Sequence, residues 1–168
     1  MKKFWIYTAF IAVFAFTVWI FAERITRVDP SLNSHPEVQA LSNEAGDVKL
    51  SDLKGKYVLV NFWDSHNAVS RIAAGEYDRF FRTHRNSNLK LLSVNTDTNR
   101  RLFNEIVHGD GLDSLTQYHI LDVKARGISP GYHPEGGYSS YLVNPSGKII
   151  AVNPTVQTVE KIIAKGKK

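Results

Sequence analysis

Hydrophobic and polar positions divide the chain into one long apolar segment near the start and a later region of short, separated apolar runs. Residues 4–22 contain no charged side chain. A helix of that length spans about 28 Å, close to the hydrocarbon thickness of a bilayer. Aromatic residues stand near both ends of the segment, as in membrane-spanning helices. We therefore expect residues 1–23 to form a transmembrane anchor.

The anchor prediction has one alternative, a cleaved signal peptide. The bulky pair Ile20 and Phe21 precedes Ala22, the only plausible cleavage position, which favours the uncleaved anchor. Lys2 and Lys3 place the N-terminus in the cytoplasm, so either interpretation predicts export of the rest of the chain. Residues 24–36 are rich in turn formers and predict a linker, and residues 37–168 predict one globular domain.

The strongest strand signal is Tyr57–Trp63, a nearly continuous apolar run typical of a central strand buried on both faces. A second strand is predicted at residues 89–94. Between the two, apolar residues recur at helical spacing, and Asn67 is a plausible N-cap. The positions that predict the apolar face of this helix are Val69, Ile72, Ala73, Tyr77, Phe80 and Phe81.

The remaining pattern completes a mixed sheet. A strand–helix–strand unit implies a parallel pair, and a late hairpin implies an antiparallel edge. We therefore predict an α/β domain with a central mixed β-sheet flanked by helices. The other expected elements are strands at 38–42, 48–50, 118–121, 140–143 and 148–152, a turn at 44–47, a turn or a single helical turn at 51–56, helices at 99–107 and 155–165, and a loop at 125–137.

Composition removes several classes of chemistry. The chain has no cysteine, so it can form no disulfide, thiolate nucleophile or cysteine-based metal site. Its net charge of +5 comes from scattered Lys and Arg residues, a pattern typical of a solvated surface rather than of a nucleic-acid-binding one. We predict no nucleic-acid partner and no cofactor.

Two stretches of the sequence carry a family resemblance. Residues 54–63, Lys-Gly-Lys-Tyr-Val-Leu-Val-Asn-Phe-Trp, and residues 141–149, Tyr-Leu-Val-Asn-Pro-Ser-Gly-Lys-Ile, resemble the membrane-anchored, thioredoxin-like thiol–disulfide oxidoreductases of the TlpA/ResA type. The resemblance extends over about residues 38–163. It implies a thioredoxin-like fold on the outer side of the cytoplasmic membrane of a bacterium.

The departures from that family fall at its chemistry. The family pattern places its attacking cysteine at Asn67, its resolving cysteine at Ser70 and its cis-proline at Tyr138, while the arginine after the second cysteine is kept as Arg71. In working relatives the helix N-terminus stabilises a thiolate at the first position. Here we expect Asn67 to be a neutral helix cap, and we expect a trans peptide bond before Tyr138.

Other catalytic assignments are weak. Ser70 could use His66 as its base and Asp64 to orient that base, but a serine nucleophile also needs an oxyanion hole, and Ser70 lies inside the first helical turn. The histidines show no metal-ligand spacing, so we predict no metal site. A peroxidase of the peroxiredoxin type shares the fold but also needs a cysteine.

Two functions remain open. The first is a redox-inactive binding or scaffold protein whose groove is lined by Trp63, His66, Asn67, Tyr138 and Ser139. The alternative is a protein that assists redox or cytochrome-maturation-type chemistry through a partner's cysteines. Both predict a peptide or protein partner and attachment to the membrane by the N-terminal helix.

Overall fold

The computed structural model of the chain describes residues 13–16, 41–43, 46–84, 88–120 and 139–166. Residues 13–16 form a helical turn with exposed side chains. The rest of the predicted anchor, the linker and the loop at 125–137 lie outside the described residues. Within the described parts of the chain, no helix is both long and apolar enough to cross a membrane.

The described elements form a five-stranded mixed sheet, a separate two-stranded hairpin, three α-helices and a 3-10 helix. The elements are β1 (Leu41–Asn43), β2 (Gly46–Val48), a 3-10 helix (Leu50–Leu53), β3 (Tyr57–Trp63), α1 (Ala68–Thr83), β4 (Leu89–Asn95), α2 (Arg100–Gly109), β5 (Gln117–His119), β6 (Ser139–Val143), β7 (Ile149–Val152) and α3 (Val156–Lys165). The sheet has the order β5-β4-β3-β6-β7, and β1 pairs with β2.

The central strand is the one that the sequence predicts. β3 pairs in parallel with β4 along its whole length, from Tyr57 opposite Leu89 to Trp63 opposite Asn95. Its other edge pairs antiparallel with β6. Because β3 is covered on both faces, six of its seven residues are buried, which explains the continuous apolar run. The predicted parallel pair and antiparallel hairpin are confirmed.

The two faces of the sheet bury separate clusters. On one face, Phe62 and Tyr141 meet edge to face with ring centroids 6.2 Å apart, and partly buried residues of β2 and the 3-10 helix pack against their cluster. On the other face, α1 and α3 pack through Tyr77 and Val159. A third cluster joins Trp63 to α2. The sheet therefore lies between layers, and the carboxyl ends of β3 and β4 meet where α1 and α2 begin.

The helix α1 differs from its predicted pattern. Val69 and Ile72 are 62% and 63% exposed, although both match the apolar spacing. The buried positions instead include Ser70 and Ala74, so the packed face is rotated toward small residues. Small side chains allow the helix to lie close to the sheet, and two apolar side chains remain on its outer surface.

Smaller differences lie in the hairpin and at β5. β2 begins at Gly46, inside the predicted turn, since glycine accommodates the φ of 114° found there. β5 begins at Gln117, one residue before the predicted start, and its last residue is His119. The predicted helices are confirmed, with Asn99 and Thr155 as N-caps.

Candidate functional site

The turn between β3 and α1 is organised by two side-chain caps. Asp64 Oδ1 accepts hydrogen bonds from the backbone N–H groups of His66 (2.9 Å) and Asn67 (3.0 Å). Asn67 Oδ1 then accepts from the N–H of Ser70 at 3.1 Å. Asn67 has extended φ and ψ angles of −106° and 97°, as an N-cap residue requires. The predicted role of Asn67 as a neutral helix cap is confirmed.

Ser70 is a structural residue in this turn. Its side chain is fully buried, and its Oγ donates to the carbonyl oxygen of Asn67 at 2.9 Å and accepts from the N–H of Asp64 at 3.2 Å. The ring of His66 is 87% exposed and its Nδ1 lies 3.3 Å from Ser65 Oγ. Ser70 Oγ therefore bonds to backbone atoms and not to a histidine base. These contacts argue against a hydrolase in which Ser70 is the nucleophile.

A buried carboxylate holds the same turn to the end of β4. The side chain of Asp97 is 2% exposed. It accepts hydrogen bonds from the N–H and Oγ of Ser65 and, at 2.8 Å, from Asn95 Nδ2. This contact spans 32 positions in the chain, so the sequence alone did not reveal it. The signal in the sequence that could have pointed to this contact is the acidic residue Asp97 just after the buried strand β4.

The turn also brings together three groups that could ligate a metal ion. Ligand atoms of Asp64, His66 and Asp97 lie within 4.8 Å of one another. Nδ1 of His66 is 3.6 Å from Asp97 Oδ1 and 4.0 Å from Asp64 Oδ1. Both carboxylates already accept hydrogen bonds from the turn, and the adjacent helix N-terminus disfavours a cation. The hydrogen bonds account for the arrangement without an ion.

The predicted groove is only partly described. Trp63 is 1% exposed, and its Nε1 donates to Gln117 Oε1 at 3.2 Å. Trp63 therefore packs behind the turn and offers no accessible surface. Tyr138 lies outside the described residues. Ser139 opens β6 opposite Phe62, and the described residues contain no cis peptide bond.

Comparison with known proteins identifies the family. The model of the AhpC/TSA family matches residues 33–152, which include all seven of the described strands. The chain belongs to the AhpC/TSA family. No curated protein sequence matches it.

Solved structures support the same fold. A thioredoxin-like protein from Parabacteroides distasonis is 29% identical, with a TM-score of 0.61 over 66% of this chain and 81% of the other. The thioredoxin domain of a thiol-disulfide oxidoreductase from Bacteroides vulgatus is 25% identical, with a TM-score of 0.68 over 79% and 98%. A thiol:disulfide interchange protein from Bacteroides sp. is 24% identical, with a TM-score of 0.67 over 82% and 94%. The mixed sheet and flanking helices are therefore a thioredoxin-like fold.

Arg71, which the TlpA/ResA-type pattern places after the second cysteine, forms an ion pair with Asp110 in this AhpC/TSA member. Nε and Nη2 of Arg71 donate to the two carboxylate oxygens of Asp110, at 2.7 and 2.6 Å. The paired hydrogen bonds lower the pKa of Asp110 and raise that of Arg71. This ion pair ties the first turn of α1 to the end of α2, so the arginine has a structural role here.

We call one group of residues at the start of α1 the α1 surface: the exposed residues His66, Val69 and Ile72 and the half-buried N-cap Asn67. It combines a polar rim with two exposed apolar side chains. The sequence pattern predicts that His66 and Asn67 line a groove and that Val69 and Ile72 lie inside the domain, and the exposure of Val69 and Ile72 shows that the second prediction is wrong. Because the chain contains no thiol, this surface cannot exchange disulfides.

Proposed function

We propose that this AhpC/TSA-family chain is a redox-inactive thioredoxin-like protein that binds an apolar peptide or protein segment at the α1 surface. The observation that carries the proposal is the hydrogen bond from Ser70 N–H to Asn67 Oδ1. Through this bond, the neutral side chain of Asn67 caps the helix end where relatives of the TlpA/ResA type carry a thiolate. Residues 1–23 would hold the domain on the outer side of a bacterial inner membrane.

Exposure of Val69 and Ile72 supports a binding role. Two apolar side chains one helical turn apart stand on the outer face of α1, each more than half exposed. Leaving such groups in water forgoes about 1.5–3 kcal/mol per side chain that burial would supply. A partner that covers both recovers that free energy, and the polar groups of His66 and Asn67 beside them can orient it.

A peptide without thiols tests the binding directly. The probe is fluorescently labelled, carboxymethylated insulin B chain, followed by fluorescence anisotropy with the full chain in detergent. Val69→Ser and Ile72→Ser should each weaken binding roughly tenfold, the equivalent of about 1.4 kcal/mol. Val152→Ser is the matched control, since Val152 is also exposed but lies on the edge strand β7. Equal weakening by all three variants would contradict the proposal.

The alternative function is assistance to a partner's cysteines. The kept fold and the thiol-disulfide oxidoreductases among the similar structures favour it as the second candidate. In an insulin-reduction assay with dithiothreitol, the proposed function predicts the rate of the reductant alone, with or without added thioredoxin. The alternative predicts acceleration only when thioredoxin is also present. Acceleration by this chain alone would refute both.

A further inference from the structure

A cavity beside α2 shares no described lining residue with the α1 surface. This cavity, of about 510 Å³, opens between α2 and β5, with β1 at its margin. Its volume falls in the range of small-molecule sites. Its floor includes Phe103 and Val107, which are each 8% exposed. Phe103 stacks on the ring of His119, with ring centroids 5.1 Å apart and an interplanar angle of 27°.

Polar groups on α2 line one wall of this cavity. Arg100, Asn104 and His108 are spaced four residues apart. That spacing places them on one stripe of the helix, about 12 Å long. The stripe therefore runs the length of the apolar floor, with a cationic group at one end and amide and imidazole groups further along.

The charge of the lining is one-sided. No aspartate or glutamate is among the described residues that line the cavity. Across the described ranges, Arg100 has no ion-pair partner, whereas the next residue, Arg101, donates to Glu105 at 2.9 Å. The positive charge of Arg100 also contributes, after burial, to a lowered pKa of His119. An anionic group entering the cavity would meet the guanidinium of Arg100 and no carboxylate in the described lining itself.

We propose that this cavity binds a small carboxylate with a flat apolar body. The carboxylate would accept hydrogen bonds from the guanidinium of Arg100, the geometry that arginine provides best. The apolar body would lie against Phe103 and Val107, and the amide of Asn104 would add a polar contact at the rim. This site is independent of the α1 surface and of the proposed function.

The test is isothermal titration calorimetry of the full chain in detergent with 2-naphthoate, compared with its neutral amide, 2-naphthamide. We expect saturable one-to-one binding of the acid and at least tenfold weaker binding of the amide. Arg100→Gln should weaken binding of the acid at least tenfold. Arg101→Gln removes an equal charge one position away, outside the cavity lining, and should bind as the unmodified chain does.

A second variant guards against a misfolded result. Asn104→Asp keeps the size of the side chain and adds a negative charge to the wall, so it should weaken binding of 2-naphthoate and not that of the amide. Absence of saturable binding by the unmodified chain would overturn the proposal. So would equal weakening by Arg100→Gln and Arg101→Gln, because that result would assign the effect to overall charge.

Discussion

Asn67 Oδ1 accepts the backbone N–H of Ser70 at 3.1 Å. The sequence resemblance predicts that these two residues match the paired cysteines of TlpA/ResA-type oxidoreductases. The positive end of α1 is therefore satisfied by an amide oxygen. In a thiol enzyme the same N–H groups would stabilise a sulfur anion. The N–H groups at this helix end still need a hydrogen-bond acceptor, and here the acceptor is the amide oxygen of Asn67.

Asn67→Ala should lower the free energy of unfolding by about 1 kcal/mol, because it leaves the Ser70 N–H without its cap. Asn67→Asp should retain the stability, since a carboxylate accepts the same bond and favours the helix N-terminus. Urea denaturation measures both. Asn99→Ala is the matched control: Asn99 Oδ1 caps α2 by accepting from Arg101 and Leu102 N–H groups. A loss at Asn99 with none at Asn67 would argue against the cap.

The double variant Asn67→Cys, Ser70→Cys should form a disulfide and accelerate insulin reduction by dithiothreitol. The first cysteine would stand at the helix N-terminus, where its thiolate is stabilised, and the second would be placed to resolve a mixed disulfide. Thiol titration before and after reduction measures the bond. The single variant Asn67→Cys is the control and should not accelerate the reaction. A double variant with two free thiols and no activity would argue against the match of these positions to the redox motif.

The main elements of the fold were predictable because they depend on local pattern. The run at Tyr57–Trp63 is apolar because β3 is covered on both faces. The cap at Asn67 was predictable because a capping asparagine and the N–H group that it accepts, here that of Ser70, are only three residues apart in the sequence. The start of β2 was predicted less accurately, because Gly46 belongs to the predicted turn but begins the strand with a positive φ.

The arrangement of the site was less predictable because it depends on distant contacts. Asp97 holds Ser65 through hydrogen bonds across 32 positions, and Arg71 meets Asp110 across 39. Helical spacing also could not say which apolar residues of α1 face the sheet. Small residues on the packed face turned Val69 and Ile72 outward, and only the three-dimensional packing reveals that choice.

Asp110→Asn should destabilise the domain at neutral pH and have no effect in strong acid. Arg71 lowers the pKa of Asp110 in the folded state. A lowered carboxyl pKa stabilises the fold above the unfolded value of about 3.9, and this contribution disappears as the pH falls through the folded pKa. Because the two side chains are 40% and 31% exposed, the loss at pH 7 should not exceed about 1 kcal/mol.

Urea denaturation of Asp110→Asn at pH 7 and at pH 2.5 measures that contribution. Glu105→Gln is the control, because it removes a carboxylate from the pair with Arg101, whose side chain is 87% exposed. The control should cost less at pH 7 than Asp110→Asn does, since exposed pairs on a helix contribute little. A difference between Asp110→Asn and the unmodified chain that persists at pH 2.5 would show that the loss does not come from the ionised pair.

His119 should titrate below pH 6.5 and make the fold less stable in mild acid. Its Nε2 lies 2.8 Å from the carbonyl oxygen of Asp97, which can only accept, so the ring carries its proton on Nε2. Its Nδ1 is buried and has no hydrogen-bond partner among the described residues. Burial is the main cause of the lowered pKa, because a second proton would place charge in a poorly solvated position.

For a histidine with a lowered pKa, the unfolded chain binds protons first. The stability is therefore complete above about pH 6.5 and decreases as the pH falls from there to the folded pKa. NMR titration of the ring measures the folded pKa, and urea denaturation between pH 7 and pH 5 measures the slope. His119→Gln keeps a donor for the Asp97 carbonyl oxygen and removes the titrating group, so its slope should be smaller. A ring that titrates at or above pH 6.5 would contradict this prediction, and so would an unchanged slope in His119→Gln. Either result would show that the fold accommodates the protonated ring because β5 and α2 move enough for water to solvate it.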